Sequence, residues 1–160
     1  GERDFAALQR EDAYSRWGAY GQSKLANLLF AYELQRRLTD ASVEETISVA
    51  CHPGYAATDL QYRGPRESGS LLRTGLMRVA NTLFAQSASR GALPMLYAAT
   101  APAVEGGAYY GPEGFMQMRG APGRQESSAA SREEADATEL WRHSETLTGV
   151  EYDFAGLSAD

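Results

Sequence analysis

The segment from residue 24 to residue 38, KLANLLFAYELQRRL, constrains the fold more than any other part of the sequence. Its apolar residues recur at i, i+3, i+4 and i+7, which is the spacing of one helical face: Leu25, Leu28, Leu29 and Tyr32. Phe30, Ala31 and Leu34 extend the apolar surface round the other sides. A helix that is apolar on most of its circumference is buried on more than one side. We therefore predict a helix over residues 20–38 that lies inside a layered fold.

Helix and strand patterns alternate along the rest of the chain. TISVACHPG, residues 46–54, is typical of a short strand in a parallel sheet that ends at Pro53-Gly54. Helical patterns follow at about 71–85 and 88–99, and a second strand is expected at about 106–110. The polar segments 61–70 and 120–131 are interpreted as loops.

A last helix is predicted to pass through Trp141 and to reach Leu147. Ser131 and Glu134 have the spacing of a capping box, and Gly149 supplies a stop signal. The element order is α/β, and it predicts right-handed crossovers. Two strands make a poor sheet, whereas a doubly wound domain has five or more. We therefore expect one partial domain over 1–160, whose other half precedes residue 1.

Composition excludes several classes of protein. The net charge of −6 argues against a nucleic-acid surface, so Arg36 and Arg37 are interpreted as the solvated face of a helix. No apolar run reaches a membrane span of about 20 residues, and residues 1–14 lack the blocks of a signal peptide, so a cytoplasmic location is expected. With one cysteine and two histidines, a Cys/His zinc site is implausible, and no metal is expected.

Cys51 is interpreted as a structural cysteine. Neighbouring side chains in a strand point to opposite faces, so His52 cannot easily act as a base for the Cys51 thiol.

Tyr20 and Lys24 form the most informative pair of polar residues. Lys24 is the only lysine in the chain, and it stands at i+4 from Tyr20, so both side chains project from one face of a helix. A phenol is a poor base at neutral pH, but a nearby ammonium favours its ionised form. Such a phenol can exchange a proton with an alcohol or carbonyl oxygen. The spacing alone also fits an ordinary tyrosine beside a surface lysine.

Several motifs together indicate a family. YGQSKLANLLF followed by ACHPGYAATDL, with GGAYYGPEG and LWRHSETLTGVEY further on, resembles the C-terminal half of a short-chain dehydrogenase/reductase. The similarity is to its retinol-dehydrogenase-like and protochlorophyllide-reductase-like branch, and it extends over nearly the whole chain. It implies the C-terminal portion of a Rossmann-type doubly wound parallel sheet and an NAD(P)-dependent oxidoreductase that interconverts an alcohol and a carbonyl.

The resemblance also implies roles for individual residues. Tyr20 would be the catalytic acid/base, and Lys24 would favour its ionised form while it hydrogen-bonds the ribose hydroxyls of the nicotinamide nucleotide. The P-G-x-x-x-T pattern corresponds to Pro53, Gly54 and Thr58, with the backbone near residues 53–56, including Tyr55, facing the nicotinamide. Ligands bind past the carboxyl ends of strands in such sheets, which agrees with the position of this motif. The segment 61–84 would be the substrate loop.

Some features of the family are absent from this sequence. No glycine-rich phosphate-binding pattern opens a helix, and the catalytic serine is expected upstream of Gly1 because Ser15 is too close to Tyr20. Whether the cofactor is NAD or NADP stays open. The substrate is expected to be a small alcohol or carbonyl, apolar in character, and a homo-oligomer is possible. Two alternatives remain: a non-catalytic remnant or interaction module without the cofactor half, and an unrelated α/β binding domain.

Overall fold

A computed structural model describes residues 15–54, 87–154 and 156 of the chain. By its internal contacts the chain divides into two compact units. The first unit comprises Gly1–Ala50, Glu105–Ala108 and Glu126–Asp160, and the second comprises Cys51–Val104 and Tyr109–Gln125. The predicted helix at 71–85 and the predicted loop at 61–70 lie outside the described residues.

The apolar segment forms the first helix, α1, which spans Arg16–Asp40. It begins before the predicted start at residue 20 because Ser15 has extended backbone and its side chain accepts a hydrogen bond from the Gly18 N–H at 3.4 Å. Of the predicted apolar stripe, Leu29 and Tyr32 are buried, while Leu25 and Leu28 are half-buried. The helix is thus confirmed and is longer than the sequence pattern indicates.

The last helix of the chain, which is α4 in the order used here, spans Glu134–Thr148 and packs against α1 in the first unit. Leu29 meets Ala137 and Leu140 in the core between the two helices. Phe30 also stacks on Trp141, with ring centroids 4.8 Å apart. Burial of these side chains removes apolar surface from water, which is the main force that holds the two helices together.

The predicted start of α4 was wrong and its predicted end is confirmed. The residue before the helix is Glu133, which makes no side-chain capping bond. Ser131 lies instead in a short 3₁₀ helix, Ala129–Arg132, where its buried hydroxyl donates to the Ser128 carbonyl at 2.7 Å. Because the helix begins at Glu134 with Glu133 at the N-cap, Ser131 is not at the capping position and no capping box forms. Gly149 ends the helix with a φ of 68°, a left-handed value that suits glycine.

Arg36 and Arg37 do not form a purely solvated face, so that interpretation was wrong. Both side chains are only about one third exposed, and both pair with the buried carboxylate of Glu33. Arg37 donates from Nε to Glu33 Oε1 at 2.8 Å, and its guanidinium lies 4.6 Å from the centroid of the Trp141 ring. A buried carboxylate requires such partners, because an unpaired charge away from water is strongly unfavourable.

Three strands form a small mixed sheet in the order β1-β2-β3. They are Ala50–Cys51, Tyr109–Pro112 and Pro122–Gln125. The Ala50 N–H donates to the Ala108 carbonyl at 3.1 Å, and the His52 N–H donates to the Tyr110 carbonyl at 2.9 Å. The residue numbers of donor and acceptor rise together, so β1 and β2 are parallel. β2 and β3 are antiparallel.

The first strand is much shorter than the predicted 46–52. Ser48 explains the late start, because its N–H donates to the side chain of Gln35 at 2.8 Å and its hydroxyl donates to the Ala31 carbonyl at 2.8 Å. These bonds tie residue 48 to helix α1, while its carbonyl accepts the Gly107 N–H. A side-chain bond that replaces a ladder bond cannot be read from apolar periodicity.

The prediction of a loop over 120–131 was wrong, because this segment contains β3. Its residues pair with β2 in register, with Tyr109 opposite Gln125 and Gly111 opposite Gly123. The sequence PGRQ has no strand preference of its own, and a proline is tolerated at the first position of an edge strand. Pairing with β2 therefore decides the conformation of this segment.

The helical pattern at 88–99 forms two helices, α2 at Ala88–Gly91 and α3 at Leu93–Thr100. Pro94 lies in the first turn of α3, where its missing N–H is tolerated, so a new helix starts there. None of the helices in the described ranges is long and apolar enough to cross a membrane. The α/β class predicted from the sequence is confirmed.

Candidate functional site

The start of helix α1 carries the two candidate catalytic side chains. Tyr20 is 52% exposed and Lys24 is exposed, one helical turn further on. The ammonium nitrogen of Lys24 lies 5.4 Å from the centroid of the Tyr20 ring, which is within the range of a cation–π contact. The structure therefore brings Tyr20 and Lys24 together on one face, as their i, i+4 spacing predicts.

Local hydrogen bonds support this first part of the helix. Ser15 caps it, and the Ser23 hydroxyl donates to the Tyr20 carbonyl at 2.8 Å. The Ser23 hydroxyl is thus used within the helix, at the backbone of Tyr20, while the phenol ring projects outward. A positioned, solvent-facing phenol beside an ammonium is an arrangement that can give a proton to, or take one from, a bound oxygen atom.

Trp17 is a neighbour of Tyr20 that the sequence reasoning missed. Its ring meets the Tyr20 ring edge-on, with centroids 6.4 Å apart and an interplanar angle of 85°. The signal was available, because Trp17 stands at i−3 from Tyr20 and residues at this spacing share a helical face. An aromatic residue at that position therefore belongs to the surroundings of the phenol.

Pro53 and Gly54 lie directly after β1, in the second unit. Gly54 has a φ of 68°, and a Cβ at this position would meet the Met118 carbonyl oxygen at 2.5 Å and Pro112 Cγ at 2.7 Å. Only glycine fits such a turn without strain. The tight turn therefore explains why glycine follows Pro53 beyond the end of the strand. This turn belongs to the second compact unit, whereas Tyr20 and Lys24 belong to the first. Tyr55, Thr58 and the substrate segment 61–84 lie outside the described residues.

Cys51 and His52 have the character of structural side chains. Burial raises the pKa of the Cys51 thiol, so the reactive thiolate is disfavoured at neutral pH. Burial lowers the pKa of His52, whose ring stacks on Tyr109 with centroids 5.2 Å apart. His52 Nδ1 accepts a hydrogen bond from the Gly54 N–H at 3.2 Å and so stabilises the Pro-Gly turn. This agrees with the interpretation of Cys51 as structural.

Two cavities in the first unit are packing features of its surface. One, of about 170 Å³, is lined in part by Tyr32 and Arg132, and the Arg132 guanidinium stacks on the tyrosine ring at 3.9 Å from its centroid. The other, of about 180 Å³, lies beside Phe30, Trp141 and Tyr152. Tyr20 and Lys24 line neither cavity. Across the ranges that the structure covers, no group of three or more His, Cys, Asp or Glu side chains is placed to hold a metal ion.

Comparison with known proteins places the chain beside a group of oxidoreductases. No protein-family model matches it. It is 36% identical over 152 residues to the polyprenol dehydrogenase of Mus musculus and 33% identical over 152 residues to the retinol dehydrogenase 14 of Homo sapiens. Each of these alignments covers 94% of this chain and 41% of the relative. The short-chain dehydrogenase TIC 32 B of Brassica napus, a chloroplastic protein, is 35% identical over 102 residues, which is 64% of this chain and 30% of that protein.

The chain is short-chain-dehydrogenase-like. It spans about two fifths of the length of the curated relatives it matches, so it is a partial chain of this kind. A crystal structure of an uncharacterized protein from Mycobacterium paratuberculosis is 34% identical and superimposes with a TM-score of 0.68. That alignment covers 94% of this chain and 46% of the other. The α/β fold of this short-chain-dehydrogenase-like chain is therefore partial and Rossmann-like.

Proposed function

We propose that this chain is the C-terminal catalytic part of an NAD(P)-dependent oxidoreductase that interconverts an alcohol and a carbonyl compound. One observation supports the proposal above all others: an exposed phenol, Tyr20, beside the ammonium of Lys24 on one helical face, 5.4 Å from ring centroid to nitrogen. The relatives are dehydrogenases, which supports the same reaction class.

Tyr20 moves the proton in this proposal. For alcohol oxidation, its oxygen takes the hydroxyl proton of the substrate, and for carbonyl reduction it returns a proton to the new alkoxide oxygen. Lys24 supplies a positive charge beside the phenol and donors for the ribose hydroxyls. The bound nicotinamide nucleotide accepts or supplies the hydride. Whether it is NAD or NADP stays open.

Two features of the described residues, each taken by itself, support the proposed cofactor. Lys24 presents an exposed ammonium with three donors, which suits ribose hydroxyls. The Gly54 turn has no room for a Cβ, and its backbone follows the carboxyl end of a strand. Pro53, Tyr55 and Thr58 are assigned to the same cofactor by the family pattern, and those assignments stay predictions. The cytoplasmic location expected from the sequence also stays a prediction.

We also propose that the substrate is an alcohol or carbonyl compound with an apolar body. The names of the relatives point to retinol and to polyprenols, which are long apolar alcohols. The catalytic serine is proposed to precede residue 1, because Ser15 is engaged in capping helix α1. The phosphate-binding glycines are proposed to lie in the same preceding part, because no such pattern opens a helix in this sequence.

A comparison of two proteins tests this proposal: the 160-residue chain and a version extended upstream to its full reading frame. We expect the extended protein to bind NADH or NADPH and to oxidise a primary alcohol. We expect the 160-residue chain to bind neither NADH nor NADPH, because it would lack the helix N-terminus that binds the phosphates. We also expect it to self-associate, because the residues that bury its apolar faces would be missing. Titration followed by nicotinamide fluorescence measures cofactor binding, and size-exclusion chromatography in parallel measures self-association.

Micromolar, stoichiometric binding by a monomeric 160-residue chain would contradict the half-domain proposal. An extended protein that does not bind the cofactor would favour the non-catalytic remnant.

A further inference from the structure

Trp17 presents an unusually exposed aromatic ring next to the proposed catalytic phenol. It is 79% exposed, the largest value among the bulky apolar side chains in the part of the chain that the structure covers. Its contact with Tyr20 is edge-on, with the ring centroids 6.4 Å apart. The rings of Trp17 and Tyr20 adjoin, so together they form one exposed apolar surface, and a contiguous surface of this kind can mark a binding position.

The three side chains on this face have different roles in the arrangement. Lys24 stands one turn after Tyr20 and Trp17 one turn before it, so the phenol lies between a cation and an indole ring along the helix. A cation suits the polar part of a ligand, and an indole suits the apolar part. A molecule whose oxygen reaches the Tyr20 hydroxyl, and whose apolar part is long enough to extend to the indole ring, can contact both.

We propose that Trp17 is a specificity-determining residue, whose exposed ring contacts the apolar body of the alcohol or carbonyl substrate that reacts at Tyr20. This inference rests on the proposed function. Trp17 takes no part in the proton transfer, and its contribution is to the binding of substrates with an extended apolar chain. Short alcohols cannot reach the ring and gain nothing from it.

Kinetics with two alcohols provide the first test, on the protein with its full reading frame. Propan-1-ol and octan-1-ol share the reacting group and differ in apolar length. We expect Trp17→Ala to lower kcat/KM for octan-1-ol about tenfold, mostly through KM, and to change the value for propan-1-ol less than about twofold. Trp17→Phe, which keeps an aromatic ring, should lie between the two. Phe115→Ala is the matched control, because Phe115 is 68% exposed and belongs to the second unit.

An equal loss with both alcohols would overturn the proposal, because it would show a general structural effect of Trp17. No loss with either alcohol would overturn it as well. A wild-type protein that oxidises neither alcohol would contradict the proposed function itself. The second test therefore uses a readout that does not depend on turnover.

The chain has two tryptophans, and only Trp17 is exposed, since Trp141 is buried. Quenching of tryptophan fluorescence by acrylamide is compared between the extended protein and its Trp17→Phe variant, so that the difference reports on Trp17. In a Tyr20→Phe background, which keeps the ring but should slow turnover 100-fold or more, octan-1-ol should reduce this difference in quenching at least twofold and propan-1-ol should not. The double variant with Trp17→Phe should show no response. Unchanged quenching at octan-1-ol concentrations that saturate turnover in the wild type would refute the contact while leaving the proposed function intact.

Discussion

The two halves of helix α1 differ in what their side chains face. Near its start, Trp17 and Tyr20 are largely exposed and Lys24 projects into solvent. Further along, Leu29 and Leu38 are fully buried, and Leu29 packs against helix α4. One helix therefore carries both the candidate chemistry and part of the core. The difference shows how a reactive side chain can stay accessible and still be held in place, because the buried half anchors the exposed half.

The buried half is also held by polar contacts. Glu33 pairs with Arg36 and Arg37, and Arg37 lies over the ring of Trp141 on α4. The Trp141 indole N–H in turn donates to Glu145 Oε1 at 2.6 Å. Variants in the two halves should consequently affect different measurements, with the buried half controlling stability and the exposed half controlling turnover.

The largest effect is expected for Leu29→Ala. This change removes a fully buried side chain from the core with Ala137 and Leu140, so it should lower the free energy of unfolding by about 3 to 4 kcal/mol. Urea unfolding followed by circular dichroism measures this. Asn27→Ala, at an exposed position of the same helix, is the control and should stay within about 0.5 kcal/mol of the wild type. A Leu29→Ala protein as stable as the control would contradict the division between the halves.

Tyr20→Phe is expected to have the next largest effect, on turnover instead of stability. It keeps the ring and its contacts with Trp17 and Lys24 but removes the oxygen that exchanges the proton in the proposed mechanism. We expect kcat of the full-length protein to fall 100-fold or more, roughly 3 kcal/mol in the barrier, with unfolding almost unchanged. Tyr152→Phe is the control, because Tyr152 is 53% exposed and lies in a different part of the first unit. Near-normal turnover would remove Tyr20 from the mechanism.

A smaller effect is expected for Lys24. Lys24→Arg keeps the charge but replaces a compact ammonium with a larger planar group, so we expect activity to fall about tenfold, about 1.4 kcal/mol. Lys24→Met removes both the positive charge and the ammonium donors beside the proposed catalytic phenol, so we expect activity to fall further than in the arginine variant. Full pH–rate profiles measure both, with the exposed Arg142→Lys as a control. An arginine variant with unaltered kinetics would mean that only the charge matters at this position.

The smallest effect is expected at the cap of helix α1. Ser15→Ala removes the acceptor for the Gly18 N–H and should lower the free energy of unfolding by about 1 kcal/mol. Ser15→Asp, which keeps an acceptor, should restore most of it. Because the cap lies in the exposed half of α1, this variant tests whether that half contributes to the free energy of unfolding. Equal stability of the alanine and aspartate variants would show that the hydrogen bond from the Gly18 N–H makes no measurable contribution to the free energy of unfolding.

Features that depend on neighbours along the chain can be predicted from the amino-acid sequence. The core helix followed from apolar periodicity, its Tyr20–Lys24 pair followed from the geometry of one helical turn, and the stop at Gly149 followed from the left-handed backbone that glycine permits. The turn at Gly54 was predicted on the same local grounds. The motifs around these residues also indicated the family, which the comparisons with dehydrogenases support.

Tertiary structure decided the features that depend on distant partners. The strand at 122–125 exists because β2 pairs with it, and β1 starts late because the side chain of Gln35 binds the backbone of Ser48. Arg36 and Arg37 are drawn to the buried Glu33 and to Trp141 instead of facing only water. Glu33 lies within one helical turn of both arginines, but the other partners are more distant in sequence, and the free energy of those contacts outweighs the weak local preference of the segment.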